Sequence, residues 1–329
     1  MNTKSAVSPP EPSVDLLRGN SPAIHLRRLW LSTRPAFLTA SVLPVLVGSA
    51  WGFRIAGEFD ALSFILAVLA TVLVHAASNV LNDVGDDIGG TDNANEERIF
   101  PYTGGSRFIQ NGVMSAREMK TWGVTLLVLA IAPGAGLLWL HGPQVLIFGA
   151  VGIALGVLYS IPKVQLSAHG LGETAVALAF GVLPVVGAAW LQSGVLSSGS
   201  FAVSIPVALW VAAILLVNEV PDIRADAAAG KRTLVVRLGV AATRRVYAGV
   251  QFAAIAAFLA CGAIGFIHWW MALAALLLLP AVVAAARAIC DVREDRARLT
   301  RAIETTLKLH LSGSFLLVIS ALVASFVQR

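Results

Sequence analysis

Hydrophobic residues along this chain come in long blocks, with neither the alternation of a half-buried strand nor the one-sided stripe of a soluble helix. About 20 apolar residues at 1.5 Å rise cross the ~30 Å hydrocarbon core of a bilayer. On that rule the blocks predict nine transmembrane helices, near 35–53, 62–82, 121–140, 144–160, 172–191, 201–220, 246–267, 269–286 and 306–327. The turns at His141-Gly142-Pro143 and Ile267-His268 are tight enough to make hairpins of helices 3 and 4 and of helices 7 and 8. The fold class is therefore all-α and polytopic.

Residues 1–22 are Pro/Ser-rich, have no apolar signal-peptide core, and read as a disordered cytoplasmic tail ahead of one membrane domain over 23–329. The stretch IHLRRLWLSTRP follows as an interfacial segment, with Trp30 at headgroup depth and Arg27, Arg28 and Arg34 snorkelling. Composition agrees: 57% of residues are hydrophobic and 13% charged, more apolar material than one soluble core needs.

Charge sets the orientation. With the N-terminus in the cytoplasm, every one of the 24 Lys and Arg residues except Arg54 and Arg329 falls on the cytoplasmic side. One helix more or fewer would invert the later loops, so this split supports both the count and a cytoplasmic N-terminus; the expected location is the cell inner membrane. The net charge of +5 then meets anionic lipid or an anionic substrate and gives no sign of nucleic acid. Cys261 and Cys290 have no metal-type spacing and read as packing residues.

Against that background the stretch SNVLNDVGDDIGGTD, residues 78–92, is unusual: four Asp and two Asn follow directly on an apolar block. A second acidic stretch, NEVPDIRADAAAGKRTLVVRLG (218–239), ends helix 6, and Asn218 precedes Asp222 by four residues as Asn82 precedes Asp86. LPVLVGSAW (43–51) likewise echoes LPVVGAAW (183–190). Together these suggest two parallel four-helix pseudo-repeats plus a ninth helix.

His75, Asn79, Asn82 and Asp86 line one helical face, and Asn218, Asp222 and Asp226 line another. A carboxylate turned toward lipid costs a few kcal/mol or more, so both stripes must face the bundle interior, opening to the cytoplasm. Facing carboxylates require cations. Carboxylate and amide oxygens with no thiolate favour Mg²⁺, which keeps waters and takes a few carboxylates plus substrate phosphates. A phosphorylated substrate is the natural missing partner.

Arg98, Arg107, Lys163, Lys231 and Arg232 lie where they can reach phosphate oxygens, as can N–H groups of the Gly104-Gly105-Ser106-Arg107 turn. Positive-inside topology alone accounts for most such cations. Ser115 with Glu118 forms a capping box. His75 reads as a hydrogen-bonded intramembrane histidine and Tyr159 as a belt tyrosine or a residue over the reaction centre.

The motif Asn82-Asp83-x-x-Asp86-x-x-x-Gly90-x-Asp92, the loop from Tyr159 and Pro162 to Gly170-Leu171-Gly172-Glu173, and Asn218-x-x-x-Asp222-x-x-x-Asp226 followed by Gly230-Lys231-Arg232-Thr233 resemble the UbiA superfamily of intramembrane aromatic prenyltransferases. They are most similar to its dihydroxynaphthoate polyprenyltransferase branch, of menaquinone biosynthesis. Phe100 to Arg107 and Glu219-Val220-Pro221 depart from that branch's usual residues.

The resemblance implies Mg²⁺-dependent transfer of a polyprenyl group from its diphosphate to a small aromatic acceptor, with loss of the acceptor's carboxylate in the naphthoate case. It implies Asp83, Asp86, Asp92, Asp222 and Asp226 as metal ligands, Asp86, Asp222 and Asp226 as catalytic, and Asn82, Asn218, Arg107, Lys163, Lys231, Arg232 and Tyr159 as substrate-binding. Acceptors of the 4-hydroxybenzoate or homogentisate type are the alternative. A cation-coupled transporter is the rival class, but it would place its charges near the bilayer midplane.

Overall fold

The computed structural model describes residues 10–160 and 164–327. Twelve helices carry the chain: α1 Pro22–Ser32, α2 Thr39–Ala56, α3 Ala61–Ile88, α4 Thr91–Ala94, α5 Ala116–His141, α6 Val145–Ser160, α7 Gly172–Ser193, α8 Ser198–Asn218, α9 Ile223–Ala228, α10 Leu234–Ala263, α11 Trp269–Ala288 and α12 Arg296–Val327. No strand occurs among the described residues.

Each of the nine expected segments is helical. Eight are long and apolar enough to cross a membrane, and the fourth, α6, has only the shorter apolar run Val145–Tyr159. Several helices outrun their apolar windows at the expected cytoplasmic ends: α3 continues to Ile88, and α12 begins at Arg296. Backbone hydrogen bonding does not stop where hydropathy does, so the acidic residues of the first motif extend a helix instead of forming a loop. The capping box opening α5 is present, with Ser115 Oγ accepting from the Glu118 N–H and Glu118 from the Ser115 N–H.

The two echoing segments pack on each other, as α2 lies along α7. A Cβ on Gly48 would sit 2.2 Å from the Val185 carbonyl oxygen, and one on Gly52 2.5 Å from that of Ala189. Only glycine permits this approach, a small-xxx-small contact of the kind that holds helices together where lipid removes any hydrophobic drive. α3 pairs with α5 and α8 with α10, equivalent pairs in the two halves. α12 closes the bundle against α2 and α8, with Gly313 flat against the Trp210 indole. Within α7 the turn Ala177–Val182 is π-helical and sets the Phe180 ring 4.6 Å from that of His75.

The N-terminal segment differs from the expected tail in its described part. Leu17 is buried, Glu11 pairs with Arg98 at 2.9 Å, the Asn111 amide donates to the Pro12 carbonyl at 2.7 Å, and Arg28 donates to the Leu17 carbonyl. Its composition forbids secondary structure of its own, but side-chain contacts with the loop after α4 still hold it. Trp30 of α1 is exposed, as an interfacial anchor should be.

Candidate active site

Both acidic motifs end a long helix and begin a short one. Gly90, at φ 77°, turns the chain after α3 so that α4 folds back and carries Asp92 toward Asp83. Gly105 (φ 72°) lies against that pair: a Cβ there would stand 2.6 Å from Asp92 Oδ2 and 3.1 Å from Asp83 Oδ1. The next N–H, of Ser106, donates to Asp83 Oδ2 at 2.9 Å, and the Arg107 guanidinium donates to the Asp92 carbonyl at 2.5 Å. The Gly-Gly-Ser-Arg turn thus approaches the first motif closely and spends its Ser106 N–H on a carboxylate.

Further down α3, Asn82 donates to Asp86 (2.8 Å) and Asn79 to the Thr33 carbonyl (3.0 Å). His75 pairs with the Ser41 hydroxyl at 2.6 Å, which agrees with its reading as a hydrogen-bonded intramembrane histidine.

In the second motif α8 stops at Asn218, so the expected continuous stripe of Asn218, Asp222 and Asp226 is broken by a turn over 219–222, and Asn218 Oδ1 is buried without a hydrogen-bond partner among the described residues. Asp222 precedes α9, Asp226 lies within it, and the Gly230 turn (φ 77°) returns Lys231 toward Asp226. Two contacts join the motifs. The Asn95 amide donates to Asp222 Oδ1 at 2.7 Å, and the Lys231 ammonium reaches Asp86 Oδ1 at 2.5 Å with Asp226 Oδ1 3.6 Å away.

Burial, then the carboxylates of Asp83 and Asp86, pushes Asp92 up to about 7. Burial, opposed by Lys231 but reinforced by Asp222 and Asp86, does the same to Asp226. Asp222 is also raised, chiefly by burial. Burial opposes the charge on Lys231, yet Asp86 and Asp226 outweigh it and hold the ammonium above its ordinary range.

Burial thus disfavours the negative charge of the cluster, and the Lys231 ammonium lies between the motifs as their shared counter-charge. Among the described residues Asp83 Oδ1 and Asp92 Oδ2 are buried with no hydrogen-bond partner. Among the described residues no group of three or more His, Cys, Asp or Glu side chains is placed to hold a metal ion by itself, so the five aspartates expected as ligands do not converge on one point. An open set of hard oxygens suits Mg²⁺ held jointly with phosphate.

Not every expected residue joins this centre. The Arg232 side chain is exposed, Arg98 is taken by Glu11 and the Asn95 carbonyl, and Lys163 lies outside the described residues. Tyr159, at the end of α6, packs over Gly172 and feels the charges of Glu219, Asp86, Glu173 and Asp226.

Other groups were not read from the sequence as part of the site. Arg34 lies in the left-handed region (φ 57°), sits over the Phe37 ring at 5.0 Å, donates to the Tyr102 carbonyl and keeps a buried Nε without a partner. Its left-handed backbone and its contacts with Phe37 and Tyr102 turn it inward from the headgroups, and its charge opposes the burial that raises Asp92 and Asp222. The Pro35 that follows, which disfavours αR at Arg34, was the available signal. Asn95 carried none. Glu219 meets Glu173 inside the bundle, and burial followed by that neighbour raises it well above the carboxylate range.

A helical membrane bundle whose two acidic motifs face each other at one end places its polar chemistry where apolar spans meet one membrane face, the arrangement of an intramembrane enzyme. Residues 41–312 match the UbiA prenyltransferase family, and the chain belongs to it. It is an enzyme that transfers prenyl groups. It is 35% identical to the 1,4-dihydroxy-2-naphthoate octaprenyltransferase of Haemophilus influenzae, covering 68% of this chain and 72% of that one. The protein of that name from Escherichia coli is 32% identical, over 68% and 73%. A UbiA homolog from Archaeoglobus fulgidus, solved bound to DMAPP and Mg²⁺, superposes with a TM-score of 0.65 at 18% identity, over 91% of this chain and 99% of that one, and shows the shared fold.

Proposed function

We propose that this protein transfers a polyprenyl group from its diphosphate to 1,4-dihydroxy-2-naphthoate, in a Mg²⁺-dependent reaction at the cytoplasmic face of the inner membrane. The observation that carries the metal–diphosphate part is the Lys231 ammonium lodged between Asp86 and Asp226, one carboxylate from each motif. The names of the bacterial relatives favour the naphthoate acceptor, and the archaeal structure solved with DMAPP and Mg²⁺ favours the metal. The acids sit at helix ends, with Asp86 two residues from the end of α3, which speaks against a midplane transport site.

In this reading Asp83, Asp86, Asp92, Asp222 and Asp226 hold Mg²⁺, and Asn82 and Asn218 orient the carboxylates and the diphosphate. Bound Mg²⁺ would neutralise the diphosphate as it departs. Lys231 and Arg107 donate to its oxygens while the C1–O bond breaks with its electron pair going to the diphosphate. Arg232 and Lys163 are further candidates for that role. Tyr159 packs against the allylic cation, and the apolar bundle keeps water from capturing it. An electron-rich ring carbon of the acceptor then bonds to C1, and the ring recovers its aromaticity by releasing what that carbon carried, CO₂ from a carboxylate-bearing carbon and a proton otherwise. The polyprenyl tail lies among the lipids.

The test is prenyl transfer in reconstituted membranes from labelled geranylgeranyl diphosphate, with Mg²⁺ or chelator, comparing 1,4-dihydroxy-2-naphthoate with 4-hydroxybenzoate and homogentisate. Metal-dependent product with the naphthoate alone is expected. Diphosphate release without prenylated naphthoate would refute the acceptor, and product in the presence of chelator would refute the metal.

A further inference from the structure

Behind the two motifs lies a second set of charges that the reaction does not use. Arg224 stands between Asp222 and Asp226 in the chain, and at 100° per residue it projects from the opposite side of α9. Its guanidinium is held at two points: Nη2 meets Asp291 Oδ2 at 2.5 Å, and Nη1 pairs with Glu97. Glu97 also takes Arg293, while the neighbouring Arg98 carbonyl accepts from Arg296 at 2.6 Å.

Three cytoplasmic segments from three parts of the chain meet here: the stretch after α4, α9 itself, and the α11–α12 connection. Glu97 is the least exposed of the four partners, at 16% against 40% for Arg224 and 66% for Arg293, and it is the one that accepts both cations.

A six-residue helix cannot fix its own orientation, since helices this short are not stable alone. Something outside α9 must therefore set the direction in which Asp222 and Asp226 point. On its front face that is the Asn95 amide on Asp222, and on its back face it is Glu97, two residues further along the same segment. A lone exposed ion pair contributes little, but a network centred on a mostly buried carboxylate contributes more.

We infer that Glu97, through Arg224 and with Asp291, is a positioning residue that fixes the spacing between the two aspartate sets, so that one metal–diphosphate unit can engage both. The inference rests on the metal–diphosphate reading proposed above.

The experiment uses the full chain in nanodiscs and two readouts. One is the split between kcat and the half-saturating Mg²⁺ concentration in prenyl transfer. The other is binding of Mn²⁺ with a non-ionisable geranylgeranyl thiodiphosphate, followed by electron paramagnetic resonance with no acceptor present.

For Glu97→Gln the half-saturating metal concentration is expected to rise about tenfold while kcat at saturating metal stays within about twofold, the signature of lost ground-state organisation. Asp291→Asn, which leaves Glu97 in place, should shift it by only about threefold. Combining Glu97→Gln with Arg224→Gln should be no worse than the worse single change, because both remove one contact. Should Glu97→Gln fail to fold, Arg224→Lys keeps the charge, loses the two-pronged reach, and is expected to raise the metal requirement about threefold.

Unchanged metal binding in these variants, even with a lowered Tm, would overturn the inference and leave the network merely structural. Wild-type protein that fails to bind Mn²⁺ with the thiodiphosphate would overturn the site reading and the clamp with it. Because the binding readout uses no acceptor, a wrong acceptor leaves the test standing.

Discussion

Replacing Lys231 by Met would separate the counter-charge that its ammonium supplies from the donor role proposed for it toward the departing diphosphate. In the structure it lies 2.5 Å from Asp86 Oδ1 and 3.6 Å from Asp226 Oδ1, with its side chain only 17% exposed. Charges about 4 Å apart interact by about 4 kcal/mol at an effective dielectric near 20, before desolvation is counted. Removing one partner of a buried pair costs about 3–5 kcal/mol, and the residual exposure here argues for the low end. Metal-free Lys231→Met protein should therefore unfold at lower temperature than wild type at neutral pH.

Added Mg²⁺ should reverse that deficit and bind at least as tightly as in wild type, because Asp86 and Asp226 have lost a competitor. Turnover should not recover. One missing donor to a departing anion costs about 10²–10³ in kcat. The assay is prenyl transfer at saturating Mg²⁺ beside thermal unfolding with and without metal. A kcat within about threefold of wild type would show that Lys231 is only a counterion of the metal-free state.

Asp86→Asn and Asp222→Asn should each abolish turnover while the protein still inserts, as judged by membrane fractionation; near-normal activity in either would sink the two-motif mechanism. The raised carboxylates predict a pH dependence. Asp92 and Asp226, at about 7, hold protons at pH 6 that a metal must displace, so the half-saturating Mg²⁺ concentration should fall between pH 6 and 8 and then level. For the metal-free chain the folded state binds more protons than the unfolded one from the ordinary carboxylate range up to about 7, so stability falls as pH rises through that window. A flat profile in both measurements would contradict the burial of these groups. Gly48→Leu would drive a side chain into the Val185 carbonyl and should cost about 3 kcal/mol, read as a lowered Tm in detergent. An unshifted Tm would show that α2 and α7 do not approach this closely.

The spans were legible because a bilayer imposes one apolar length on every crossing, and the polar stripes because Asn82 and Asp86, or Asp222 and Asp226, recur at a helical spacing. Arg34 was misread as a headgroup anchor: its chemistry is the same in either place, and only the left-handed turn before Pro35 directs it inward. Asn95 lies past the first motif in no periodic pattern, and its partner is 127 residues away. Lys231 and Arg232 are adjacent and looked equivalent. The Gly230 turn directs one at the carboxylates and leaves the other exposed. The spacing Gly48-x-x-x-Gly52 was present to be read, and it marks the contact between the halves.

That contact bears on the chemistry, because two struts of the site, Lys231 to Asp86 and Asn95 to Asp222, run between the halves. Asp86 belongs to the first half and its counter-charge Lys231 to the second. Asp222 belongs to the second and the amide that holds it, Asn95, to the first. Either half alone would leave buried carboxylates without the partner that makes burial tolerable. Docking of α2 on α7 through glycines brings the partners together, so the packing that closes the bundle and the electrostatics that prepare the site depend on one another. A substitution at Gly48 or Gly52, far from any acid, should therefore loosen metal binding as well as lower stability, and should do so in the order of the volume it adds.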